Sequence, residues 1–330
     1  MKQMWKEILI AAMLGLLLPS VLLSLAVRAT EPKNDPVTSL SASEEQQEIA
    51  TTQETKSRWT IPVLKDGSWR DMELNTYLTG VVLAEMPVSF EPETHKAQAV
   101  VARTYALRQW LLGSKHSGGI CTDPTCCQGY LSEEEFLAAG GKQSDLEQVA
   151  EAVAGTGDLV LTYEGKLIEA TYFSCSGGYT EDAVAVWGTE IPYLQATESL
   201  GEENATHYSD TVWFTVEEFS NALGITLSGN PESWVGSVTE TAGGGVGEME
   251  IGGVVFSGTT LRQLLGLRST AFTLEADAEG ITVTTRGYGH RVGMSQYGAD
   301  AMAVNGSTFE EILFYYYQGV ELTEYSGQNN

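Results

Sequence analysis

Glu85 ends an apolar run, Val81-Val82-Leu83-Ala84, and is followed by Met86 and Pro87. A carboxyl group buried in such surroundings loses the hydration of its ionised form, so it holds its proton to higher pH and can donate it to the oxygen of a leaving group. A helix that merely ends on a glutamate would carry the same string. A second constellation lies in KHSGGICTDPTCCQGY, where His116, Cys121, Cys126 and Cys127 offer one imidazole and three thiols, the donor set of a tetrahedral zinc site. Outside the cytoplasm Cys121 could instead pair with Cys126 or Cys127, or the loop could carry one reactive thiol. A bridge between the adjacent Cys126 and Cys127 would be strained. A zinc hydrolase on this loop would need a base such as Glu133, Glu134 or Glu135, but no HExxH-like spacing occurs. Ser176, Gly177 and Gly178 suit a tight turn whose backbone amides can closely approach a bound substrate. His290, Ser295 and Gln296, in GYGHRVGMSQYG, carry hydrogen-bonding groups of the kind that line a polar binding groove.

The elements that must position these residues are readable from periodicity and breakers. Trp59 to Arg70 reads as a β segment turning at Asp66-Gly67, and Leu74 to Glu85 has the apolar spacing of a helix that Pro87 stops. Pro92 opens a longer helix through Trp110, with Ala97, Val100, Val101, Thr104 and Leu107 on one face and Gly113 closing it. Helices are expected at Glu133 to Ala139 and Ser144 to Ala154, then strands at Leu159 to Tyr163 and Lys166 to Phe173 around Glu164-Gly165. From about Glu198 the composition changes. A helix near Val216 to Leu223, a glycine-rich turn at Gly243 to Gly247, a strand at Glu248 to Phe256 and a helix at Thr259 to Leu265 suggest an inserted subdomain. Strands at Phe272 to Glu275 and Ile281 to Arg286 return the chain, and Thr308 to Tyr317 forms a last helix. The fold class is α+β, helices mixed with antiparallel strands in two subdomains, and no fixed-period repeat is present.

The domain layout expected is 1–29 as a cytoplasmic stub and membrane anchor, 30–57 as a disordered tether, 58–322 as an extracytoplasmic domain and 323–330 as a disordered tail. Within the domain, 58–197 and 283–322 make the core and about 198–282 the insertion. Ile8 to Val27 is a charge-free run of 20 residues, long enough at ~1.5 Å per residue to cross a hydrocarbon core of about 30 Å. Lys2 and Lys6 precede it, which puts the amino terminus inside and the bulk of the chain outside. A cleaved signal peptide is the rival reading. With 44 acidic against 18 basic side chains, a net charge of −26, the chain repels a phosphate backbone, and nucleic acid is excluded as a partner.

Four segments, Leu74 to Pro87, Lys96 to Leu107, Tyr172 to Gly188 and Gly287 to Ala303, together resemble the catalytic-domain signature of the stage II sporulation protein D family of lytic transglycosylases. The resemblance runs from about Trp59 to Val320, and the anchor and tether resemble that family too. It implies that Glu85 is the catalytic residue, acting first as acid and then as base on the bond between N-acetylmuramic acid and N-acetylglucosamine, leaving a 1,6-anhydro sugar. It implies supporting roles for Lys96, Gln98, Arg103 and Tyr105 on the second helix, no cofactor for catalysis, and at most a structural zinc. The implied setting is the septal wall of a sporulating cell, from a single-pass membrane anchor, with stage II sporulation proteins P and M as partners. The same domain family includes amidase enhancers, which bind the wall without cutting it, and these form the alternative reading. Three positions depart from the family pattern: Cys175 replaces a small polar residue, Arg291 a glycine and Tyr315 a histidine.

Overall fold

The computed structural model describes residues 57–113 and 115–327, all within one compact unit spanning 47–330. The expected membrane helix and the tether up to residue 56 lie outside the described residues. Among the described residues no helix is long and apolar enough to cross a membrane.

The fold begins with a hairpin, Thr60–Lys65 against Ser68–Glu73. Asp66 and Gly67 both take positive φ, 52° and 74°, the backbone of a two-residue turn whose twist matches its strands. The second strand runs straight into helix α1, Leu74–Glu85, because the Glu73 carboxylate accepts from the amides of Asn75 and Thr76 and so caps it. Leu74, Leu78, Val81 and Val82 are buried. The helix stops at Glu85 because Pro87 drives Met86 into extended backbone, φ −129° and ψ 146°.

Helix α2, Pro92–Leu112, has proline at its first position and ends on Gly113 at φ 58°. Its 21 residues span about 31 Å and are buried on almost every side. Ala97, Ala99, Ala102 and Ala106 let neighbours approach closely. Helices α1, Gln143–Gly155, Gln296–Val304 and Phe309–Tyr316 all pack on α2, and this helix bundle carries the larger apolar core. A second apolar cluster gathers Phe219, Met249, Ile251, Leu261, Phe272, Ile281 and Val283. It lies between helices Val216–Leu223 and Gly258–Leu265 and two three-stranded antiparallel sheets.

The α+β class expected from the sequence is the observed one, with several local differences. The strand expected over 248–256 is a hairpin, Val246–Ile251 against Val254–Ser257, turning at Gly252 and Gly253, which both adopt positive φ. The strand expected over 166–173 breaks into Lys166–Leu167 and Tyr172–Phe173, and the latter leaves its hairpin to pair in parallel with Met294–Ser295. The disordered tail expected from 323 is ordered in its first residues: strand Glu321–Glu324 pairs with Leu159–Tyr163, and Tyr325 is buried against Trp59 at a ring separation of 5.0 Å. Helix Gln296–Val304, capped by the Ser295 hydroxyl, carries no apolar period that marked it in the sequence.

Candidate active site

A cleft of about 860 Å³ opens at the carboxyl end of α1, and Glu85 lines it. Its Oε1 accepts a hydrogen bond from the Gly129 amide at 2.7 Å. Glycine suits that place, since a Cβ on residue 129 would sit 3.0 Å from the same oxygen. Burial raises the Glu85 pKa, opposed by the Gly129 amide, which bonds the carboxyl group, and by the Tyr172 hydroxyl. Desolvation wins, as the apolar run before Glu85 led us to expect. Gln128 ties the surroundings together, accepting from the Tyr77 hydroxyl at 3.2 Å and donating to the Tyr172 hydroxyl at 3.2 Å.

Three of the expected supporting residues line the same cleft: Tyr105, His290 and Gln296. The Tyr105 hydroxyl accepts from Lys115 at 2.9 Å. His290 sits between Phe173 and Trp187, each 5.7 Å away ring to ring. Burial, aided by the Arg262 guanidinium, pushes its pKa down to about 4, so it is a neutral imidazole at physiological pH. Gln296 Nε2 is buried without a hydrogen-bond partner, which leaves a donor at the cleft wall. Trp187 and Tyr288 add two partly exposed aromatic faces.

The other supporting residues lie elsewhere, each for a physical reason. Lys96 bonds Glu93 one turn earlier and rests over the Phe309 ring. Arg103 is fully buried on another face, where its guanidinium donates to Thr156 and to the Leu159 carbonyl. Gln98 shares the Tyr105 side of α2 by the helical period, and its buried amide has no partner. Ser295 caps the helix that follows it.

Ser176, Gly177 and Gly178 do form a tight turn, but the Gly178 amide is taken by the Ser176 hydroxyl and the turn's other donors by the protein's own Glu202. That carboxylate is 1% exposed and accepts from the Ser176 amide (2.6 Å) and hydroxyl (2.8 Å), the Gly177 amide (3.3 Å), Ser199 (2.5 Å) and the Cys175 thiol (3.0 Å). Five donors turned on one buried carboxylate make it a structural keystone. Glu202→Ala is expected to cost about 3 kcal/mol, since those donors would lose their acceptor in a dry site; thermal unfolding of the variant checks this. Arg291 also proves structural. At φ 65° it occupies backbone that glycine takes readily, and its buried guanidinium donates to the carbonyls of Ser176, Tyr179 and Gly243.

The ligand atoms of His116, Cys121, Cys126 and Cys127 all lie within 4.8 Å of one another, so this cluster could hold a metal ion. Cys126 Sγ is 3.4 Å from His116 Nε2 and 3.9 Å from Cys127 Sγ. A zinc tetrahedron with Zn–S of ~2.3 Å has sulfur–sulfur edges near ~3.8 Å, so the spacing fits. The cysteines are free thiols. Burial, with the neighbouring thiols, pushes Cys127 up to about 12, so without a metal it is a neutral thiol, and a bound dication would lower that value by stabilising the thiolate. The loop then delivers Gln128 and Gly129 to the Glu85 side of the cleft.

Sequence reasoning did not single out Tyr77, Gln128, Gly129, Trp187 or Glu202. Gln128 and Gly129 directly follow the cysteine pair, and Tyr172 and Trp187 lie inside a quoted segment, but their importance depends on which distant element each meets.

Fold and site together define an α+β protein whose acid-bearing cleft abuts a thiol and imidazole cluster. The family described as Stage II sporulation protein matches residues 66–163 of the chain. The chain is 41% identical over 272 residues to stage II sporulation protein D of Bacillus subtilis (strain 168), covering 80% of this chain and 79% of that one. It is 40% identical to stage II sporulation protein D of Bacillus amyloliquefaciens, covering 80% and 78%. A third relative is the amidase enhancer of Bacillus subtilis (strain 168), 31% identical over 75% of this chain and 40% of that one. The chain belongs to the stage II sporulation protein D family.

Proposed function

We propose that this protein is a lytic transglycosylase that cuts peptidoglycan glycan strands between N-acetylmuramic acid and N-acetylglucosamine during sporulation. The observation that carries the reading is Glu85, a half-buried carboxyl group with a raised pKa in the wall of a cleft of about 860 Å³. Its proton goes to the bridging oxygen as the muramoyl C1–O bond breaks, and the electron pair leaves with the N-acetylglucosamine hydroxyl. The Gly129 amide and Tyr172 hydroxyl then face a carboxylate, which they stabilise. That carboxylate takes the proton of the muramoyl 6-hydroxyl as its oxygen closes on C1, giving the 1,6-anhydro ring and restoring Glu85. The internal nucleophile acts at high effective concentration, so no water is consumed. Neutral His290 and the free Gln296 donor suit the hydroxyl and acetamido groups of the sugars. The aromatic faces of Trp187 and Tyr288 suit the apolar faces of its rings.

On this reading the protein works outside the cell membrane, held by its amino-terminal apolar segment as a single-pass anchor. Stage II sporulation proteins P and M are its partners, and a zinc ion holds the His116, Cys121, Cys126 and Cys127 loop without taking part in the chemistry. The similarity to an amidase enhancer supports a second reading, a wall-binding module that cuts nothing.

Mass spectrometry of fragments released from peptide-free glycan strands by the purified protein separates these readings. Anhydromuramoyl ends are the expected product. Reducing ends would mean hydrolysis with a second carboxylate, for which Glu169 is the candidate in the cleft, although it is bonded to Arg108 and Gln109. Tight binding without release would favour the enhancer.

A further inference from the structure

Tyr288 lines the cleft and is 44% exposed, yet the groups that flank its ring come from elsewhere in the chain. The His207 ring lies 5.0 Å from it, centroid to centroid, and the Arg268 guanidinium stands over it at 5.8 Å. Arg268, just beyond helix Gly258–Leu265, and its partner Asp210, in strand Ser209–Thr215, belong to the elements around the second apolar cluster. Among the described residues none from 198 to 282 lines the cleft, so that part of the molecule acts on the cleft through what it holds there.

The guanidinium is fixed at two points. Its Nε pairs with Asp210 Oδ2 at 2.8 Å, and its Nη1 donates to His207 Nδ1 at 2.6 Å. Arginine has no acceptor to offer, so His207 takes that bond on the lone pair of Nδ1 and carries its proton on Nε2. A planar fork bonded through Nε and Nη1 keeps its orientation, and the imidazole is tied to it. The backbone is pinned as well: the Tyr288 amide donates to the Cys175 carbonyl at 2.7 Å, and the Gly289 amide to the Arg268 carbonyl at 3.0 Å.

An aromatic ring this exposed would otherwise turn about its side-chain bonds, and a ligand that stacked on it would lose affinity in stopping that motion. Held in advance, the ring offers a fixed apolar face with a polar rim, which the C–H face of a pyranose fits.

We infer that Arg268 and His207 are positioning residues that hold the Tyr288 ring as a platform for a sugar ring of the glycan strand. This rests on the cleft being the glycan site of the proposed reaction.

The test is calorimetric titration of peptide-free glycan oligosaccharides into the Glu85→Gln protein, alongside kcat and KM of the same substitutions made in the chain that keeps Glu85. Tyr288→Ala should weaken binding about tenfold, the worth of one stacked ring, and the loss should appear in KM rather than in kcat. Arg268→Met removes both hydrogen bonds and the cation, and should weaken binding about threefold, the effect of leaving one side chain to be immobilised on binding. The double variant should match Tyr288→Ala, because Arg268 acts through the ring. Arg268→Lys keeps a charge for Asp210 but lacks the fork that reaches His207 as well, so it should restore little. His207→Leu leaves the pair between Arg268 and Asp210 in place and gives a second route to the Arg268→Met result should that variant fold poorly. Unchanged affinity in Tyr288→Ala would remove the platform and overturn the inference. Affinity unmoved in Arg268→Met and His207→Leu, with only the thermal midpoint lowered, would reduce both residues to packing and overturn it too, as would losses that add in the double variant. A wild type that binds strands but cuts none would end the proposed reaction, and the binding series would still decide whether Tyr288 is a platform.

Discussion

Glu85→Gln should lower the rate of glycan cutting by roughly a thousandfold or more while leaving the protein folded and able to bind strands. Glutamine keeps the shape of the side chain and still accepts from the Gly129 amide, but it has no acidic proton to give the bridging oxygen. Its effect on stability has a definite sign. Burial raises the folded pKa of Glu85 above the unfolded value of about 4.3, so between those two values the folded state binds more protons than the unfolded one. Stability that this group supplies is complete below the unfolded pKa and is lost as pH rises through the folded pKa. The neutral amide suffers no such loss. The variant should therefore match the wild type in thermal unfolding at pH 4 and exceed it at pH 8. Thermal midpoints across that range, read beside the rate of anhydro-sugar release, test both halves. A variant that cuts normally would remove Glu85 from the chemistry. One that is inactive but loses stability as pH rises would point to a structural role.

What the sequence disclosed, and what it hid, divides along a physical line. The bounds of α1 and α2 are local: Glu73 caps, Pro87 stops, Pro92 starts, and Gly113 at φ 58° ends, so composition and breakers suffice. The His116 and cysteine cluster was equally open to reading, because its members lie within one short loop. Long-range pairing was not. Tyr172 meets Gln128 from 44 residues away, and the Ser176 turn takes its carboxylate from Glu202, 26 residues on. The Ser176 turn was expected to face a bound substrate, a sound reading of glycine and serine that lacked only the identity of the acceptor. Lys96 and Arg103 do align along α2, as a spacing of seven requires, but alignment does not say which face a helix turns to the cleft. On a helix buried nearly all round, apolar patterning is silent on that point.

The other large effect expected is that of the loop cluster. If His116, Cys121, Cys126 and Cys127 hold a zinc ion, a strong chelator at neutral pH should lower the thermal midpoint by roughly 10 °C, the shift that ~4 kcal/mol makes in a domain of this size. Re-addition of zinc should restore it. Cobalt(II) in its place should produce the absorption of a tetrahedral thiolate complex. It should also quench Trp69, whose ring lies 6.1 Å from that of His116; Trp69→Phe identifies the signal. Binding requires deprotonated thiols, and Cys127 stands at about 12 without a metal, so uptake should release protons and weaken as pH falls. Thiol counting on the unfolded, unreduced, chelated protein separates the alternatives: four free thiols fit the metal, whereas two would mean that Cys121 is bridged within the loop. Cutting should fall along with stability, although the ion touches no sugar. Gln128 and Gly129 come one and two residues after Cys127, and through them a loosened loop would take the Gly129 donor away from Glu85 and the Gln128 donor away from Tyr172. A chelated protein that stays folded, cuts at the wild-type rate and keeps its Glu85 titration unchanged would sever that link.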